Sequence, residues 1–327
     1  MALVFVDSFD HYTTLAQKWD ASSGTIDAAY GRFGKGLCVT QNAVVHKATA
    51  NMQTWFVGLA FKTGTQWPND YFLALRDSGA LQVEVRINTA GQLVAARNGT
   101  ALATVEAPLA FSTWYYIELA AYIHDTAGTL TVRVNGASVI TLSGVDTKNT
   151  ANAYANQLAL RSPNNGNALT MIDDLYICDG AGSTNNSLLG DCKVVALLPS
   201  GAGASTDWTP SAGANYECVD EATPDDDTTY VSSATAGHKD TYALGDLSGS
   251  GTVYGVQALY RVRKDDAGTR TVKSVLRSGA GTEANGTSNN VGDTYGYYAD
   301  VFDAEPGGAA WTVAKVNDAQ AGVVVEA

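Results

Sequence analysis

Alternation of apolar and polar side chains runs through most of the first 180 residues and breaks repeatedly at glycine-bearing turns. Segments 54–63, 81–88 and 130–135 are short and rich in β-branched and aromatic residues, which is typical of strands. Asn135 and Gly136 form the clearest hairpin signal, because both residues tolerate positive φ angles. The pattern predicts an antiparallel sandwich of about a dozen short strands in this half.

The stretch 171–180 marks the end of the first predicted domain. Its side chains alternate imperfectly between apolar and polar and stop at an Asp-Gly turn, as in a strand that closes a sheet. The following residues, 181–189, are small, polar and glycine-bearing, so they predict a linker. We therefore divide the chain into a first domain at 1–180, a linker at 181–189 and a second domain at 190–327.

The second half predicts another β-sandwich followed by a short helix. A strand-like segment opens it at 190–199, and segments 255–263 and 270–277 are long enough to form a hairpin. A helical pattern covers about 312–321, with Thr312 as the predicted N-cap. The predicted fold class is therefore all-β: two antiparallel, jelly-roll-like β-sandwich domains with a short C-terminal helix.

The charge of the chain argues against several classes of partner. The 33 acidic and 20 basic residues give a net charge of -13, which repels a phosphate backbone, and no basic stripe reverses this locally. We therefore predict no nucleic-acid partner. The sequence shows no positively charged leader and no apolar run of membrane-spanning length, so we predict neither a signal peptide nor membrane insertion and expect synthesis in a cytoplasm.

The four cysteines, Cys38, Cys178, Cys192 and Cys218, show neither zinc-finger nor CxxC spacing. Free cysteine behaves as a small hydrophobic residue, so we predict buried free thiols in strands. A disulfide between Cys192 and Cys218 is the alternative, and it would require an oxidising environment.

Four segments follow one another as the landmarks of concanavalin A-like, laminin-G-like jelly rolls do. They are GRFGKGL at 31–37, WYYIEL at 114–119, LTVRVNG at 130–136 and IDDLY at 172–176. The first 180 residues therefore resemble this group of folds. Related jelly rolls hold a structural calcium ion, so the resemblance implies a candidate calcium site. They also associate in closed symmetric rings or trimers, so it implies a homo-oligomer.

The order of landmarks over nearly the whole chain resembles that of tailed-bacteriophage virion proteins. Beyond the jelly-roll segments it includes LGD at 189–191, DDDTTY at 225–230 and AWT at 310–312. The resemblance implies a virion structural protein, either a tail-associated fibre or baseplate adhesin or a capsid decoration component. The expected partners are other virion proteins, with a host surface glycan as the target of an adhesin.

The sequence carries none of the common catalytic motifs. It has no GxSxG elbow, no phosphate-binding GxxxxGK(S/T) loop and no HExxH, and its four histidines are scattered. The paired acids of jelly-roll glucanases are also missing, because the adjacent Asp173 and Asp174 would point to opposite faces of a strand. We therefore predict that the protein is not an enzyme. A free carbohydrate-binding, lectin-like module is the alternative function, and a glycoside hydrolase is a more distant one.

Trp67, Asn69, Asp70 and Tyr71 form the candidate contact site for a glycan or receptor. An aromatic ring beside amide and carboxylate groups offers the chemistry that a pyranose face requires. In the structural alternative, which the usual burial of large aromatic residues favours, Trp67 packs beneath its loop beside Pro68.

Asp7, Asp10 and Asp173 form the candidate metal site. They would meet if the first and last strands of the first domain pair, and carboxylates are ligands that Ca²⁺ prefers. A structural calcium ion is therefore the one cofactor that the sequence suggests, although three carboxylates fall short of the roughly six to eight oxygen ligands of Ca²⁺. The residues from Asp225 to Asp227 offer a second acidic cluster, for which a solvated turn is the simpler interpretation.

Overall fold

Two compact units make up the protein. The computed structural model describes residues 2–20, 23–162 and 169–326. The chain divides into Met1–Val194 and Val195–Ala327, which places residues 190–194, assigned above to the second domain, in the first unit. Strand pairing is antiparallel throughout the sheets of both units, so the predicted all-β class with two β-sandwiches is confirmed.

The first unit packs an eight-stranded sheet against a six-stranded sheet. Its strands are β1 (Leu3–Asp7), β2 (Gly24–Asp27), β3 (Gly36–Val39), β4 (Val44–Met52), β5 (Thr54–Thr63), β6 (Asp70–Asp77), β7 (Ala80–Ile87), β8 (Gln92–Arg97), β9 (Thr100–Pro108), β10 (Tyr115–Tyr122), β11 (Gly128–Val134), β12 (Ala137–Val145), β13 (Ala155–Arg161) and β14 (Thr170–Asp179). The larger sheet has the order β12-β11-β10-β5-β14-β3-β2, with β1 also paired to β14. The smaller sheet has the order β4-β13-β6-β7-β8-β9.

Apolar side chains from both sheets form the core of this unit, as the alternating pattern predicts. Phe61 on β5 and Phe72 on β6 bring their ring centroids within 4.2 Å. Trp55, Leu59 and Leu75 are likewise fully buried. Each such side chain contributes roughly 2–3 kcal/mol through the removal of apolar surface from water, which holds the two sheets together.

The described residues of the second unit form long strands, very short strands, one α-helix and a 3-10 turn at Asn215–Cys218. The strands and the α-helix are β15 (Pro199–Thr206), β16 (Thr209–Pro210), β17 (Val231–Ser232), β18 (Lys239–Leu244), β19 (Val256–Val262), β20 (Thr271–Arg277), β21 (Glu283–Asn285), β22 (Asn289–Asn290), β23 (Gly296–Phe302), α1 (Val313–Asn317) and β24 (Gln320–Val325). The main sheet has the order β15-β18-β24-β20-β21, with β22 beside β20, while β16 pairs with β17 and β19 with β23. Leu276, Trp311, Val316 and Ala319 form its core, against which Val256 and Phe302 pack.

Several elements of the second half differ from those predicted. Residues 190–198 form no strand. β19 pairs with β23 and β20 pairs with β24, so the predicted hairpin between 255–263 and 270–277 is wrong. Thr312 caps the helix as predicted, since its side chain accepts a hydrogen bond from the backbone N–H of Lys315. The helix is only five residues long, because the chain from residue 320 pairs with β18 instead of continuing it.

The structure shows the state of all four cysteines. All four cysteines are free, so the alternative disulfide between Cys192 and Cys218 is not formed. Cys38, Cys178 and Cys218 are buried, whereas Cys192 is partly exposed.

No helix in the ranges that the structure describes is long and apolar enough to cross a membrane.

Candidate functional site

A stacked aromatic pair lies where the β5–β6 and β9–β10 loops of the first unit meet. Trp67 from the first loop and Phe111 from the second stack with ring centroids 4.1 Å apart and planes inclined by 25°. Trp67 is half-buried, whereas Phe111 is 43% exposed. The exposed ring of this Trp67–Phe111 pair is therefore the phenylalanine.

Gly91, in the turn between β7 and β8, lies against the indole of Trp67. Its φ of +80° favours glycine, and a Cβ atom there would lie 2.4 Å from Cε2 of Trp67. Asn88 fixes the turn, since its Oδ1 accepts two backbone N–H groups at 2.9 and 3.0 Å. The backbone N–H of Leu109 donates to the carbonyl of Gly91 at 2.9 Å, which ties the loop of Phe111 to the same turn. The backbone thus positions both rings.

The other three predicted contact residues lie where β6 begins. Asn69 is exposed and has a φ of +52°. The carboxylate of Asp70 bridges Arg86 and Arg161, with Nη2 of Arg86 3.3 Å from Oδ1. Tyr71 is 4% exposed, and the Arg161 guanidinium carbon lies 5.3 Å from its ring centroid. Burial also raises the pKa of the Tyr71 phenol. Of these three residues, only Asn69 is exposed, and the other two support the loop.

Sequence reasoning did not single out Phe111. The only available signal was an aromatic residue followed by two polar, turn-favouring residues, Ser112 and Thr113. That signal does not separate an exposed ring from a buried one, because exposure depends on the partner ring. Trp67 supplies that partner from a loop more than forty residues away in the sequence.

Asp7, one of the three predicted metal ligands, forms a buried ion pair. Its Oδ1 lies 3.1 Å from Nζ of Lys18, and the two side chains are 0% and 4% exposed. Its Oδ2 accepts hydrogen bonds from the Tyr12 hydroxyl at 2.6 Å and from the Trp19 indole at 2.8 Å. Burial opposes ionisation, but Lys18, His11 and the hydrogen bonds from the Tyr12 hydroxyl and the Phe9 backbone N–H outweigh it and lower the pKa of Asp7. A cation at this carboxylate would have to displace Lys18.

Asp10 and Asp173 bind backbone N–H groups of one glycine-rich loop. Oδ1 of Asp10 accepts from Lys35 at 2.7 Å, and Oδ2 of Asp173 accepts from Arg32 at 2.6 Å and from Phe33 at 3.0 Å. β1 and β14 do pair, as the metal prediction requires. Nevertheless, the described part of the chain contains no group of three or more His, Cys, Asp or Glu residues that could hold a metal ion.

The acidic turn of the second unit is also used by protein groups. Arg261 binds both oxygens of Asp226 at 2.6 and 2.8 Å. Arg263 and the hydroxyl of Tyr295 each lie 2.9 Å from Oδ1 of Asp227. These contacts attach the loop that carries the turn to β19, to the residue after it and to the residue before β23.

Asp173 and Asp174 converge, so the prediction that they diverge to opposite faces is wrong. Asp174 has a φ of +48°, and the pairing of β14 with β5 shifts register between Asp173 and Tyr176. This bulge turns both carboxylates toward Arg32, which donates its backbone N–H to Asp173 and its Nε to Asp174. Burial and then the charge of Asp174 raise the pKa of Asp173 to about 7, although backbone N–H groups, including that of Phe33, oppose this shift.

Comparison with known proteins gives similarity to solved structures alone. No protein-family model and no curated protein sequence matches the chain. It is similar to the cellulose induced protein Cip1, with 12% identity and a TM-score of 0.42 over 56% of this chain and 98% of that chain. It is also similar to domain 4 of AbnA, an extracellular arabinanase of Geobacillus stearothermophilus in complex with arabinotriose, with 16% identity and a TM-score of 0.38 over 56% and 95% of the two chains.

A third similarity is to the binding domain of Paraclostridial Mosquitocidal Protein 1. Here the identity is 14% and the TM-score 0.40, over 56% of this chain and 50% of that chain. The three similarities each cover little more than half of this chain. The assignment as a β-sandwich protein therefore rests on the strand pairing described above.

Proposed function

We propose that the protein is a non-catalytic carbohydrate-binding protein whose first unit contacts a glycan through the Trp67–Phe111 pair. The observation that carries this proposal is the 43% exposure of Phe111, stacked on an indole that the backbone holds in place. A rigid, exposed ring offers an apolar face to the C–H groups of a pyranose at little cost in conformational entropy. Asn69, exposed in the same loop as Trp67, offers a donor and an acceptor for sugar hydroxyl groups.

The charged groups near this pair in the sequence support binding rather than catalysis. A glycosidase of the usual type needs two carboxyl groups available to the sugar, one as acid and one as base or nucleophile. Asp70, three residues from Trp67, instead has its oxygens held by Arg86 and Arg161. Removing Asp70 would take this carboxylate from Arg161 and leave Arg86 with Glu84 as its ion-pair partner, so the role of Asp70 is to position the loop.

Phe111→Ala is expected to weaken glycan binding about tenfold or more, because it removes the exposed ring and leaves Trp67 in place. A glycan array probed with the full chain would identify the ligand class. A fluorescence titration would then compare the Kd of the variant with that of the unmodified protein, with Trp67 as the adjacent reporter.

Phe33→Ala is the matched control, because Phe33 is 47% exposed in another loop of the same unit. Equal Kd values for the unmodified protein and Phe111→Ala would contradict the placement of the site, as would an equal loss in Phe33→Ala. Release of reducing sugar from a bound glycan would contradict the non-catalytic role.

We further propose that this binding serves a bacteriophage virion, in which the protein is a homo-oligomeric tail-associated adhesin or a capsid decoration component. The support for this second proposal is the order of sequence landmarks from GRFGKGL to AWT. A virion role also gives the protein its partners, which would be other virion proteins.

In a cryo-EM reconstruction of the virion, we expect density for two sandwiches at one symmetric location. Density at the tail or its tip would make the protein an adhesin, and density on the capsid lattice would make it a decoration component. A virion that lacks this chain by mass spectrometry would contradict the virion role and leave the glycan site to be tested separately.

A further inference from the structure

Residues 189–194 lie on the eight-stranded sheet of the first unit without forming a strand; we call them the docked segment. The backbone N–H of Leu189 donates to the hydroxyl of Tyr176 at 3.0 Å, and that of Gly190 donates to Oε1 of Glu118 at 2.8 Å. The backbone N–H of Val194 donates to Oδ1 of Asp174 at 2.9 Å. The sheet therefore recognises the main chain of this segment at three positions.

The side chains that receive the docked segment lie on the face of the sheet opposite the core. Gly58 is three residues from Phe61, whose ring packs in the core, so it faces the other way. Glu118 and Tyr176 both pair with Gly58 and share its row. A Cβ atom on Gly58 would lie 2.1 Å from the Tyr176 ring, so glycine lets this ring cross β5. The Tyr176 hydroxyl then donates to Oε1 of Glu118 at 2.7 Å.

This polar row is buried although it faces away from the core. Glu118 is 0% and Tyr176 1% exposed, and burial followed by the charge of Glu118 raises the pKa of the Tyr176 phenol. A buried carboxylate without donors is costly, and Gly190 supplies one of its two donors. Both hydrogen bonds go to Oε1 of Glu118, so the docked segment supplies half of the donors that this oxygen binds.

Arg32 also binds the docked segment. Its Nη1 lies 2.7 Å from Oδ1 of Asp191, its Nη2 donates to the carbonyl of Cys192 at 3.0 Å, and its Nε donates to Asp174 at 3.0 Å. One guanidinium therefore joins the sheet to a side chain and to the main chain of the segment. Such forked, charge-assisted hydrogen bonds combine strength with directional selectivity.

The docked segment has two chemical requirements of its own. Gly190 has a φ of +90°, which disfavours any side chain, and Asp191 supplies the negative charge that Arg32 binds. Residues 180–188, the hinge loop, are mostly exposed and connect the segment to the end of β14. The segment is therefore bound by the sheet as a peptide ligand would be, with the hinge loop as its tether.

We propose that this face of the eight-stranded sheet is a peptide-binding groove for a Gly-Asp segment, and that its occupant is the docked segment of this chain. The groove holds the segment through its own contacts and not through the covalent tether. The chain that follows the segment consequently stays attached to the first unit when the hinge loop is cut.

The test is a full-length protein with a site-specific protease sequence inserted between Ser183 and Thr184. After cleavage, we expect the two fragments to co-elute on size exclusion at micromolar concentration. Arg32→Ala and Gly190→Ala are each expected to weaken this association at least ~100-fold, so that the fragments separate. A synthetic peptide of residues 187–196 in excess is expected to displace the second fragment, and the same peptide with Asp191→Ala is not.

Gly182→Ala is the matched control, because Gly182 has a φ of +74° in the exposed hinge loop and makes an equally strained substitution outside the groove. Near-UV circular dichroism before cleavage checks that each variant has folded. Separation of the unmodified fragments would overturn the proposal. Co-elution that persists in Arg32→Ala and Gly190→Ala, or that resists the peptide, would also overturn it.

Discussion

Asp7→Ala is expected to lower the free energy of unfolding of the first unit by about 3–5 kcal/mol. The substitution leaves the Lys18 ammonium group buried without its counter-charge, with the carbonyl of Val6 as a remaining acceptor at 2.9 Å. Tyr12 and Trp19 lose an acceptor at the same time. For a unit of this size the expected fall in Tm is about 6–20 °C, which differential scanning calorimetry would measure.

Two further variants identify the cause of this loss. Asp7→Leu combined with Lys18→Met removes both charges, and we expect it to recover most of the stability, because a buried ion pair can be replaced by apolar groups of similar volume. Asp10→Ala removes a carboxylate from the same region that accepts a backbone hydrogen bond, and should cost clearly less. A double variant as unstable as Asp7→Ala would show that the unpaired Lys18 is not the cause.

Asp173→Asn is expected to change how stability depends on pH. The pKa of Asp173 is about 7 in the folded protein, against 3.8 for an ordinary aspartate. Between these values the folded protein keeps the proton and the unfolded chain does not, so the free energy of unfolding falls as pH rises through this window. The difference corresponds to up to about 4 kcal/mol, and asparagine, which does not titrate, removes it.

His11 has the opposite sign and must be separated from Asp173. Burial and then Lys18 lower the pKa of His11 from 6.5 to about 4. The stability that neutral His11 contributes is therefore fully present above its unfolded pKa of 6.5 and is lost as pH falls toward 4. In a single stability curve this change masks the effect of Asp173. The difference between the unmodified protein and each variant isolates the two groups.

Urea unfolding from about pH 4 to about pH 8 measures both differences. Relative to the unmodified protein, Asp173→Asn should gain stability as pH rises, and His11→Gln should gain stability as pH falls. Parallel curves for Asp173→Asn and the unmodified protein would show that Asp173 ionises at its ordinary pKa. The pKa of the adjacent Asp174 is also raised by burial, and its charge acts on Asp173, so the difference between the two proteins reports the removal of Asp173 from this coupled pair.

Local signals in the sequence predicted the features that depend on a few neighbouring residues. Asn135 and Gly136 do form the turn between β11 and β12, with φ angles of +49° and +82°. Thr312 does cap the helix. In both cases the required backbone geometry is set within four residues, so the residue types alone carry the information.

The features that the sequence did not predict depend on distant partners. The bulge at Asp174 places that carboxylate and its neighbour against Arg32, which lies more than a hundred residues earlier in the sequence. β19 and β20 look like a hairpin, but their partners are β23 and β24, and no local pattern specifies this pairing. The same limit applies to the candidate glycan site, where the exposure of Phe111 is set by Trp67.

The position of β14 affects how the protein forms during synthesis. This strand is the last of the first unit in sequence, yet it pairs with β1, β3 and β5 inside the larger sheet. The larger sheet cannot be completed until residue 179 has left the ribosome. Synthesis of the chain up to this residue takes on the order of ten seconds or more at usual rates of translation. During that time β1 and β5 are without this central partner, and their unpaired edges are open to other nascent chains. Incorrect strand pairing between copies of the chain would therefore occur on the polysome, before any oligomer forms.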